Sequence, residues 1–495
     1  MKPSFFFDRY VFSRHVTTLL ALLAFLSFGI PGAIGQEEDD EARPAEEAGE
    51  MPDAAKPGAA AEQPEEKPRE PVTTVEVARK ASQPMFYGMD FERLWDWVPT
   101  RLAPTGLLEK ERLMQLAVGE CKVHYVRVAI NSASELDEGV FVESAYKEIL
   151  EVMTLCKAAN PDINFFASPR PIKEAIKGAP WSMFPLWISG DEMYINSKGE
   201  TKWKKGYFNP EKAGDYMVRY LEFMESKGFK ITYMDLSNES CGRLRPAAQA
   251  IMAKRIREAR GDKAPLLLAP SSFDYGVAES WLDEAGKWPG LDFFDIVSTH
   301  NTRGENSGDL NAFASRVRKT KKPLWNSEFH AIRGPDNIAV SNMQYLFKQV
   351  RGGVSGINDW LSLGSEKKDY KMFRTMGDGS LEVMRIYYIY KQLVNTSNEG
   401  HYFATTIPDG LTTTLAFIRG KLMTVWLLNA NETAAEAVPV TIGNRRIEGE
   451  TLKTLSWTPD NGREGTVGEL QVASENSFTV DVGAQSLICL EFNLK

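Results

Sequence analysis

The chain of 495 residues is predicted to fold as an α/β protein, a (β/α)8 TIM barrel followed by an antiparallel β-sandwich. Apolar, β-branched runs alternate with amphipathic helical stretches, two of these runs end in a glutamate, and the alternation stops after the eighth helix. Eight strands that are each followed by a helix are typical of a closed parallel barrel. The strands are predicted at 85–90, 123–130, 163–168, 231–236, 265–269, 293–299, 323–327 and 354–360, and the helices near 107–120, 142–158, 210–227, 246–260, 277–288, 309–320, 341–351 and 381–396.

The pattern then changes to short alternating runs separated by Gly, Asn and Asp turns, which indicates an antiparallel sandwich. The segment 72–80 precedes the first barrel strand and has no neighbour in the barrel, so we expect it to pair with the sandwich. The barrel is therefore predicted at 72–396 and the sandwich at 397–495. We expect the sandwich to be a rigid structural appendage, with sugar binding as the alternative. Its strands are predicted at 411–420, 421–430, 437–442, 477–482 and 486–492.

The N-terminal segment has the pattern of a secretory signal peptide over residues 1–35. Lys2, Arg9 and Arg14 precede an apolar stretch, and small residues at 33–35 form a cleavage site. Residues 36–71 consist mainly of Glu, Ala, Pro and Gly without an aromatic residue, which predicts a disordered linker. We therefore expect an exported protein, periplasmic or extracellular, which would contact a membrane only if the signal stays uncleaved as an anchor.

The charge is concentrated in the predicted linker. Residues 36–71 hold 13 acidic and 4 basic side chains, which accounts for the whole formal charge of −9. The remaining chain is close to neutral, and no Lys/Arg cluster suggests a nucleic-acid partner. The four cysteines have no metal-ligand spacing and do not predict a disulfide framework. We expect neither a cofactor nor a metal.

Two glutamates close predicted strands at the same end of the barrel. Glu239 follows the fourth strand in ITYMDLSNESC, and Glu328 ends the seventh in PLWNSEFH. Chemistry in this fold takes place at the carboxyl ends of the strands, so carboxylates there indicate catalysis. Two carboxylates are the minimum for glycoside hydrolysis, and a separation of about 5 Å would suit retention of configuration. Each glutamate alone would be an ordinary solvated strand end.

Five short motifs lie at or near the ends of predicted strands or in the last helix: Asn238-Glu239, WNSE at 325–328, Ser168-Pro169, Ser298-Thr299-His300 and Tyr387-Tyr388. They resemble the motifs of the retaining clan A glycoside hydrolases, and of family 30 in particular. The resemblance spans roughly residues 72–495. It implies hydrolysis of O-glycosidic bonds with Glu239 as general acid and base and Glu328 as nucleophile. It further implies that Asn238 binds the sugar hydroxyl beside the anomeric carbon; an ordinary turn former is the alternative.

Two further polar residues are candidates for substrate binding or for orienting the glutamates. Arg127 lies inside the apolar second strand, where we expect its guanidinium to keep Glu328 ionised. A structural ion pair on the barrel exterior is the alternative. His300 closes the sixth strand and could orient the nucleophile or a sugar hydroxyl, or it could be a hydrogen-bonded structural residue.

Aromatic residues near the strand ends are candidates for stacking on sugar rings. Trp360 on the eighth strand could form an apolar floor, and Trp181 and Trp187 lie in a long connection after the third strand. Loops of that length in compact domains are commonly functional, so we expect this one to form a wall of the cleft. Packing against the barrel is the alternative for each tryptophan.

The sequence departs from the family pattern in three places. Thr302 stands where an aromatic hydroxyl would contact the nucleophile, 88–91 replaces a glycine-rich first strand, and Arg170 replaces a tryptophan. These changes alter the surroundings of the reacting sugar, so substrate choice does not carry over from the family.

The leading hypothesis is an exported retaining β-glycosidase that acts on a polysaccharide or glycoconjugate. The second is a catalytically impaired barrel that binds glycans, since a binding protein would tolerate the altered first strand. A metal-dependent hydrolase is the third, although no clustered His and Asp motif supports it.

Overall fold

The computed structural model describes residues 73–93, 97–100, 103–170, 183–190, 192–198, 200–204, 206–239, 244–287, 291–300, 309–329, 334–365 and 371–495. The predicted signal peptide and linker, together with Trp181, Cys241 and Thr302, lie outside these residues. Residues 70–495 form one compact unit. Among the described helices, none combines the length and apolar character needed to cross a membrane.

Eight parallel strands close a barrel in chain order, as the sequence predicts. Each predicted strand overlaps an observed one, and the last strand pairs with the first to complete the ring. The TIM barrel is therefore confirmed. The strands are β2 Phe86–Asp90, β3 Tyr125–Asn131, β4 Asn164–Arg170, β7 Ile231–Asp235, β8 Leu266–Ser272, β9 Ile296–Thr299, β10 Leu324–Phe329 and β11 Gly356–Asp359.

Helices surround the barrel, and several begin at side-chain caps that the sequence encodes. Asn209, Asp274 and Asp309 each accept a hydrogen bond from a backbone N–H in the first turn. The helices are α1 Lys110–Met114, extended by a π-helical segment Gln115–Glu120, α2 Lys147–Ala159, α3 Leu186–Ser189, α4 Pro210–Ser226, α5 Pro246–Arg260, α6 Tyr275–Ala285, α7 Leu310–Thr320, α8 Ala339–Gly352 and α9 Arg385–Ser397, with 3-10 turns at Ser132–Ser134, Glu143–Tyr146, Gly261–Lys263 and Leu291–Phe293.

An aromatic layer fills the barrel interior below the carboxyl ends of the strands. The rings of Tyr125 and Trp325 are stacked with centroids 5.2 Å apart, and Phe166 and Tyr233 complete the layer. Gly88 is required here, because a Cβ atom would lie 2.1 Å from the ring of Tyr125. The barrel is thus a packed core that supports the residues at its mouth, not a pore.

The C-terminal region is a nine-stranded sheet that folds over a second hydrophobic core. The strands are β1 Val75–Pro84, β15 His401–Thr405, β16 Thr413–Arg419, β17 Leu422–Asn429, β18 Ala435–Thr441, β19 Thr451–Trp457, β20 Thr466–Gln471, β21 Ser477–Val482 and β22 Ser486–Asn493. Strand β1 precedes the barrel in sequence and lies between β15 and β18. Three of the strands, β15, β19 and β20, were not predicted.

Two small sheets lie in connections between elements of the barrel. The hairpin of β5 Glu192–Ile195 and β6 Thr201–Lys204 lies in the long connection between β4 and α4. Strands β12 Leu363–Ser365, β13 Phe373–Thr375 and β14 Leu381–Val383 form the second sheet after β11. Cys121, Cys156 and Cys489 are free thiols in the interior, so no described pair of cysteines is bridged.

Candidate active site

Glu239 is presented by a strained turn directly after β7. Asn238 and Glu239 have φ angles of 40° and 67°, in the left-handed region that disfavours residues with a Cβ. The Glu239 N–H donates a 2.9 Å hydrogen bond to the Ser271 carbonyl near the end of β8. Backbone strain of this kind persists only where the surroundings enforce it, and it is concentrated at functional sites.

Glu328 ends β10 and faces Glu239 across the barrel mouth. An oxygen of each glutamate and a ring nitrogen of His300 all lie within 4.8 Å of one another. His300 Nδ1 is 3.3 Å from Glu239 Oε1 and 3.2 Å from Glu328 Oε2. The structure therefore brings together three of the predicted site residues, and the histidine lies between the two carboxylates.

Arg127 points into the barrel and makes the largest set of contacts in the site. It is fully buried, and its guanidinium donates to Glu328 Oε2 at 2.8 Å and to Asp90 Oδ2 at 2.9 Å. It also donates to Ser168 Oγ at 2.8 Å and to Asn238 Oδ1 at 2.7 Å. The alternative of an ion pair on the barrel exterior is thus wrong. Arg127 organises residues from four other strand ends.

A second pair of buried carboxylates, Asp90 and Glu92, shares Arg127 with Glu328. Glu92 Oε2 lies 3.4 Å from Arg127, and Asp90 accepts the Glu92 N–H at 2.8 Å. Burial and the neighbouring Glu92 raise the pKa of Asp90 to about 8, although Arg127 opposes this rise. This pair was not among the site residues predicted from the sequence. The available signal was Asp90 itself, which ends an apolar strand as the glutamates do.

The pKa values of Glu328 and His300 depend on each other. Burial raises the pKa of the Glu328 carboxyl, and the nearby His300 and Arg127 cations oppose that rise. Burial lowers the pKa of His300, but the charge of Glu328 and the hydrogen bond to Glu239 outweigh it, so the net direction is upward. The protonated imidazole and the ionised carboxylate therefore favour each other.

The side chain of Asn238 is engaged by the protein. Its Oδ1 accepts from Arg127, and its Nδ2 donates to the Pro169 carbonyl at 2.7 Å and faces Met183 Sδ at 3.4 Å. These contacts fix the orientation of the amide beside Glu239. The contact of Asn238 with a sugar hydroxyl stays a prediction.

The predicted stacking residues differ in position. Trp360 follows β11 at the barrel mouth, where its backbone N–H donates to the Phe329 carbonyl. Arg93 and Lys371 lie 5.7 and 5.1 Å from its ring. Trp360 therefore borders the site, and its stacking on sugar stays a prediction.

Trp187 lies on the short helix α3 and does not join the glutamate pair. Its indole N–H donates to the Glu135 carbonyl at 2.7 Å, and its ring packs beside Lys212 and Arg219 of α4. Within the described residues these contacts attach the loop to the barrel helices. The structure thus gives Trp187 a packing role, and Trp181 falls outside the described residues.

The set Glu239, His300 and Glu328 has the donor types of a cation site, which the sequence spacing did not suggest. Two carboxylates and an imidazole could bind a divalent metal. The Arg127 guanidinium, 2.8 Å from Glu328, already supplies a positive charge there and would repel a second one. The surroundings therefore fit an ionised carboxylate paired with arginine better than a metal ligand.

The chain thus combines an eight-stranded barrel and an attached sandwich with an Asn-Glu pair after the fourth strand and a glutamate near the end of the seventh. Solved structures that share this fold include several glycoside hydrolases. A family 30 endoxylanase from Clostridium papyrosolvens aligns with a TM-score of 0.60 at 15% identity, over 85% of this chain and 100% of its own. An endo-β1,6-glucanase aligns with a TM-score of 0.60 at 14% identity, over 86% of this chain and 96% of its own.

A conserved exported protein from Bacteroides fragilis also aligns, with a TM-score of 0.60 at 12% identity, over 84% of this chain and 100% of its own. No protein-family profile and no curated protein sequence matches the chain. At these identities the likeness is one of fold. The predicted resemblance to family 30 is confirmed at that level.

Replacement of His300 with asparagine should shift the pH dependence of activity. The protonated imidazole lowers the pKa of Glu328, so its loss raises that pKa, and less of the carboxylate is ionised at a given acidic pH. We expect the acidic limb of the kcat/KM profile to move upward by about one pH unit. A profile measured with an aryl glycoside would check this.

His124 provides a matched control for that experiment. It is a largely buried histidine at the amino end of β3, bonded to Glu399 and Tyr233 and not to the glutamate pair. His124→Asn should leave the acidic limb where it is in the unchanged protein. An equal displacement in both variants would contradict the assignment of the shift to His300.

Proposed function

We propose that this protein is an exported retaining β-glycosidase that hydrolyses O-glycosidic bonds of a polysaccharide or glycoconjugate. The observation that carries the proposal is the separation of at most 4.8 Å between oxygens of Glu239 and Glu328 at the mouth of the barrel. Retaining enzymes hold their two carboxyl groups roughly 5–5.5 Å apart, whereas inverting enzymes leave room for a water molecule between them. The short separation supports double displacement.

In the first step, a Glu328 carboxylate oxygen attacks the anomeric carbon, and the bond to the leaving oxygen breaks. Glu239 gives its proton to that oxygen, so the leaving group departs as an alcohol and the sugar stays esterified to Glu328. In the second step, Glu239 takes a proton from water, and the hydroxide oxygen attacks the same carbon. The ester bond breaks, which releases the sugar with its original configuration and restores both glutamates.

Arg127 and His300 supply the charge that this chemistry needs. Glu328 must be ionised when it attacks, yet its burial favours the neutral form. Arg127 at 2.8 Å and His300 at 3.2 Å both oppose that effect. As the ester forms, the negative charge on Glu328 is lost and His300 can remain bonded to Glu239, which at that stage is the ionised carboxylate.

A carbohydrate is the proposed partner, and export is proposed from the N-terminal pattern of residues 1–35. Solved structures with a similar fold include a xylanase and a β1,6-glucanase, so we propose a β-linked polysaccharide as the substrate class. Another is a conserved exported protein. The altered surroundings of the site argue against transferring either substrate directly.

Incubation with an activated 2-fluoro glycoside should trap the glycosyl-enzyme, because the fluorine slows the second step. We expect one sugar per chain, attached to a peptide that contains Glu328, as measured by intact-mass and peptide mass spectrometry. Glycan binding without labelling would favour the binding protein instead. Labelling elsewhere would contradict the assignment of the nucleophile.

Metal analysis of the purified protein distinguishes double displacement from metal-assisted hydrolysis. The carboxylate–histidine set would make a metal-assisted hydrolase the second candidate. We expect less than stoichiometric metal and no loss of activity after dialysis against a chelator. Stoichiometric metal whose removal abolishes hydrolysis would overturn the double-displacement proposal.

A further inference from the structure

A cleft of 820 Å³ lies between the barrel helices and the sandwich, away from the barrel mouth. One wall is formed by α7 and α8, and the other by the beginning of β16 and the residues before it. Its volume is within the range of small-molecule sites, roughly 300–1,000 Å³. Nothing in the proposed hydrolysis uses it.

Polar side chains with unused hydrogen-bonding capacity line this cleft. Asn311 on α7 and Gln344, Tyr345 and Lys348 on α8 make no side-chain hydrogen bond or ion pair in the described part of the chain. On the sandwich wall, Thr413 is only 6% exposed. Its buried hydroxyl also has no hydrogen-bond partner among the described residues. A buried hydroxyl without a partner is costly, so a ligand that bonds to it would remove that cost.

The chemistry of the lining selects among ligand classes. The charged side chains of the lining are Lys348, Arg351 and Asp309. Arg351 donates to the carbonyls of Thr405 and Thr414. Asp309 accepts the Asn311 backbone N–H, so the lining holds both signs of charge and does not select a strongly charged ligand. The amides and hydroxyls can both donate and accept, and the half-buried ring of Tyr345 packs on the barrel core and offers an apolar surface. A sugar has this combination of hydroxyls that donate and accept and of apolar C–H faces.

A peptide strand is a poorer fit to the same cleft. Strand β16 is paired on both sides, with β15 and with β17, so it offers no free edge for an added strand. We propose that the cleft is a second carbohydrate-binding site that holds a segment of a glycan chain outside the active site. This inference does not depend on hydrolysis, because binding can be measured in an inert variant.

A series of buried hydrogen bonds connects the cleft with the active site. Residues in this series are unsuitable for substitutions that test the cleft alone. Tyr275 and Asn326 both donate to Gln349 Oε1, at 3.2 and 3.3 Å, and Asn326 accepts the Glu328 N–H at 3.4 Å. Tyr275 and Gln349 line the cleft. Substitutions that test the cleft should therefore leave these residues intact and use Asn311 and Tyr345.

The test uses affinity electrophoresis of the full chain carrying Glu328→Gln, in gels that contain soluble xylan, β1,6-glucan, β1,4-mannan or homogalacturonan. We expect retardation by at least one of them, with a dissociation constant that rises at least tenfold when Asn311→Ala and Tyr345→Ala are added. The matched control adds Val467→Ala and Glu469→Ala, exposed on strand β20 at the far edge of the sheet. It should bind as the parent does.

The outcomes separate this inference from the proposed function. Equal retardation with and without the cleft substitutions, or no retardation by any of the four polysaccharides, would overturn the second site. Neither result bears on hydrolysis, which the fluoro-glycoside trap tests separately. An unchanged thermal unfolding midpoint in the cleft variant would show that lost binding is not lost folding, and Tyr345→Phe, which keeps the ring, should retain most of the binding.

Discussion

Glu328→Gln should reduce kcat by about 10⁴- to 10⁶-fold, because the amide cannot form the covalent intermediate. Substrate binding should persist, since the amide has nearly the shape of the carboxylate. The folded protein should be as stable as before or more so, because burial disfavours the ionised carboxylate and raises its pKa. Single-turnover kinetics with an aryl glycoside and thermal unfolding would measure both effects.

Glu92→Gln is the matched control for this substitution. Glu92 is as buried as Glu328 and lies 3.4 Å from the same arginine, yet it has no assigned role in bond formation. We expect a loss of activity of less than about tenfold from its electrostatic influence alone. A loss as large as that of Glu328→Gln would indicate that any carboxylate near Arg127 is required, which would contradict the specific role of Glu328.

The stereochemistry of chemical rescue gives a second check. A small anion such as azide can enter the space vacated in Glu328→Gly and attack the anomeric carbon from the side of the missing carboxylate. The glycosyl azide should then have the inverted configuration. If Glu239→Gly is rescued instead to that same inverted product, the roles of the two glutamates are exchanged.

Arg127→Ala should destabilise the folded protein by about 3–5 kcal/mol, because it leaves buried carboxylates without a compensating charge. Asp90, Glu92 and Glu328 all contact this one guanidinium, and Arg127 and Asp90 are fully buried. Activity should fall as well, because the ionised form of Glu328 loses its 2.8 Å partner. Urea denaturation of the full chain would measure the free energy of unfolding.

Two comparisons make the result specific to the buried cluster. Glu92→Gln in the Arg127→Ala background removes a buried carboxylate that has lost its arginine partner, and it should recover part of the lost stability. Arg257→Ala removes an arginine that pairs with Asp295 while 40% exposed, and it should cost less than about 1 kcal/mol. An Arg127→Ala protein as stable as the parent would refute the view that this arginine neutralises the site.

The sequence determined the barrel, because hydrophobic periodicity and strand count are local properties. Each of the eight runs is readable within ten residues, and the closed ring follows from their number and order. Glu239 and Glu328 follow or end strands of this ring, so their position at one end of the barrel also follows from the sequence. The unpredicted strands show the limit: β20, TVGELQ, is an exposed edge strand with a glycine and a glutamate, so it lacks the buried face that makes a pattern visible.

Only the tertiary structure shows which carboxylates contact the same arginine. Arg127 is 37 residues from Asp90 and 201 from Glu328, and only barrel closure makes one guanidinium reach both. The direction of a side chain on a fully buried strand is not encoded by alternation, since both faces are apolar and the pattern cannot distinguish inside from outside. For that reason the sequence predicted which residue types meet at the mouth, while His300 between the glutamates and the buried pair Asp90 and Glu92 emerged only from the packing of strands distant in sequence.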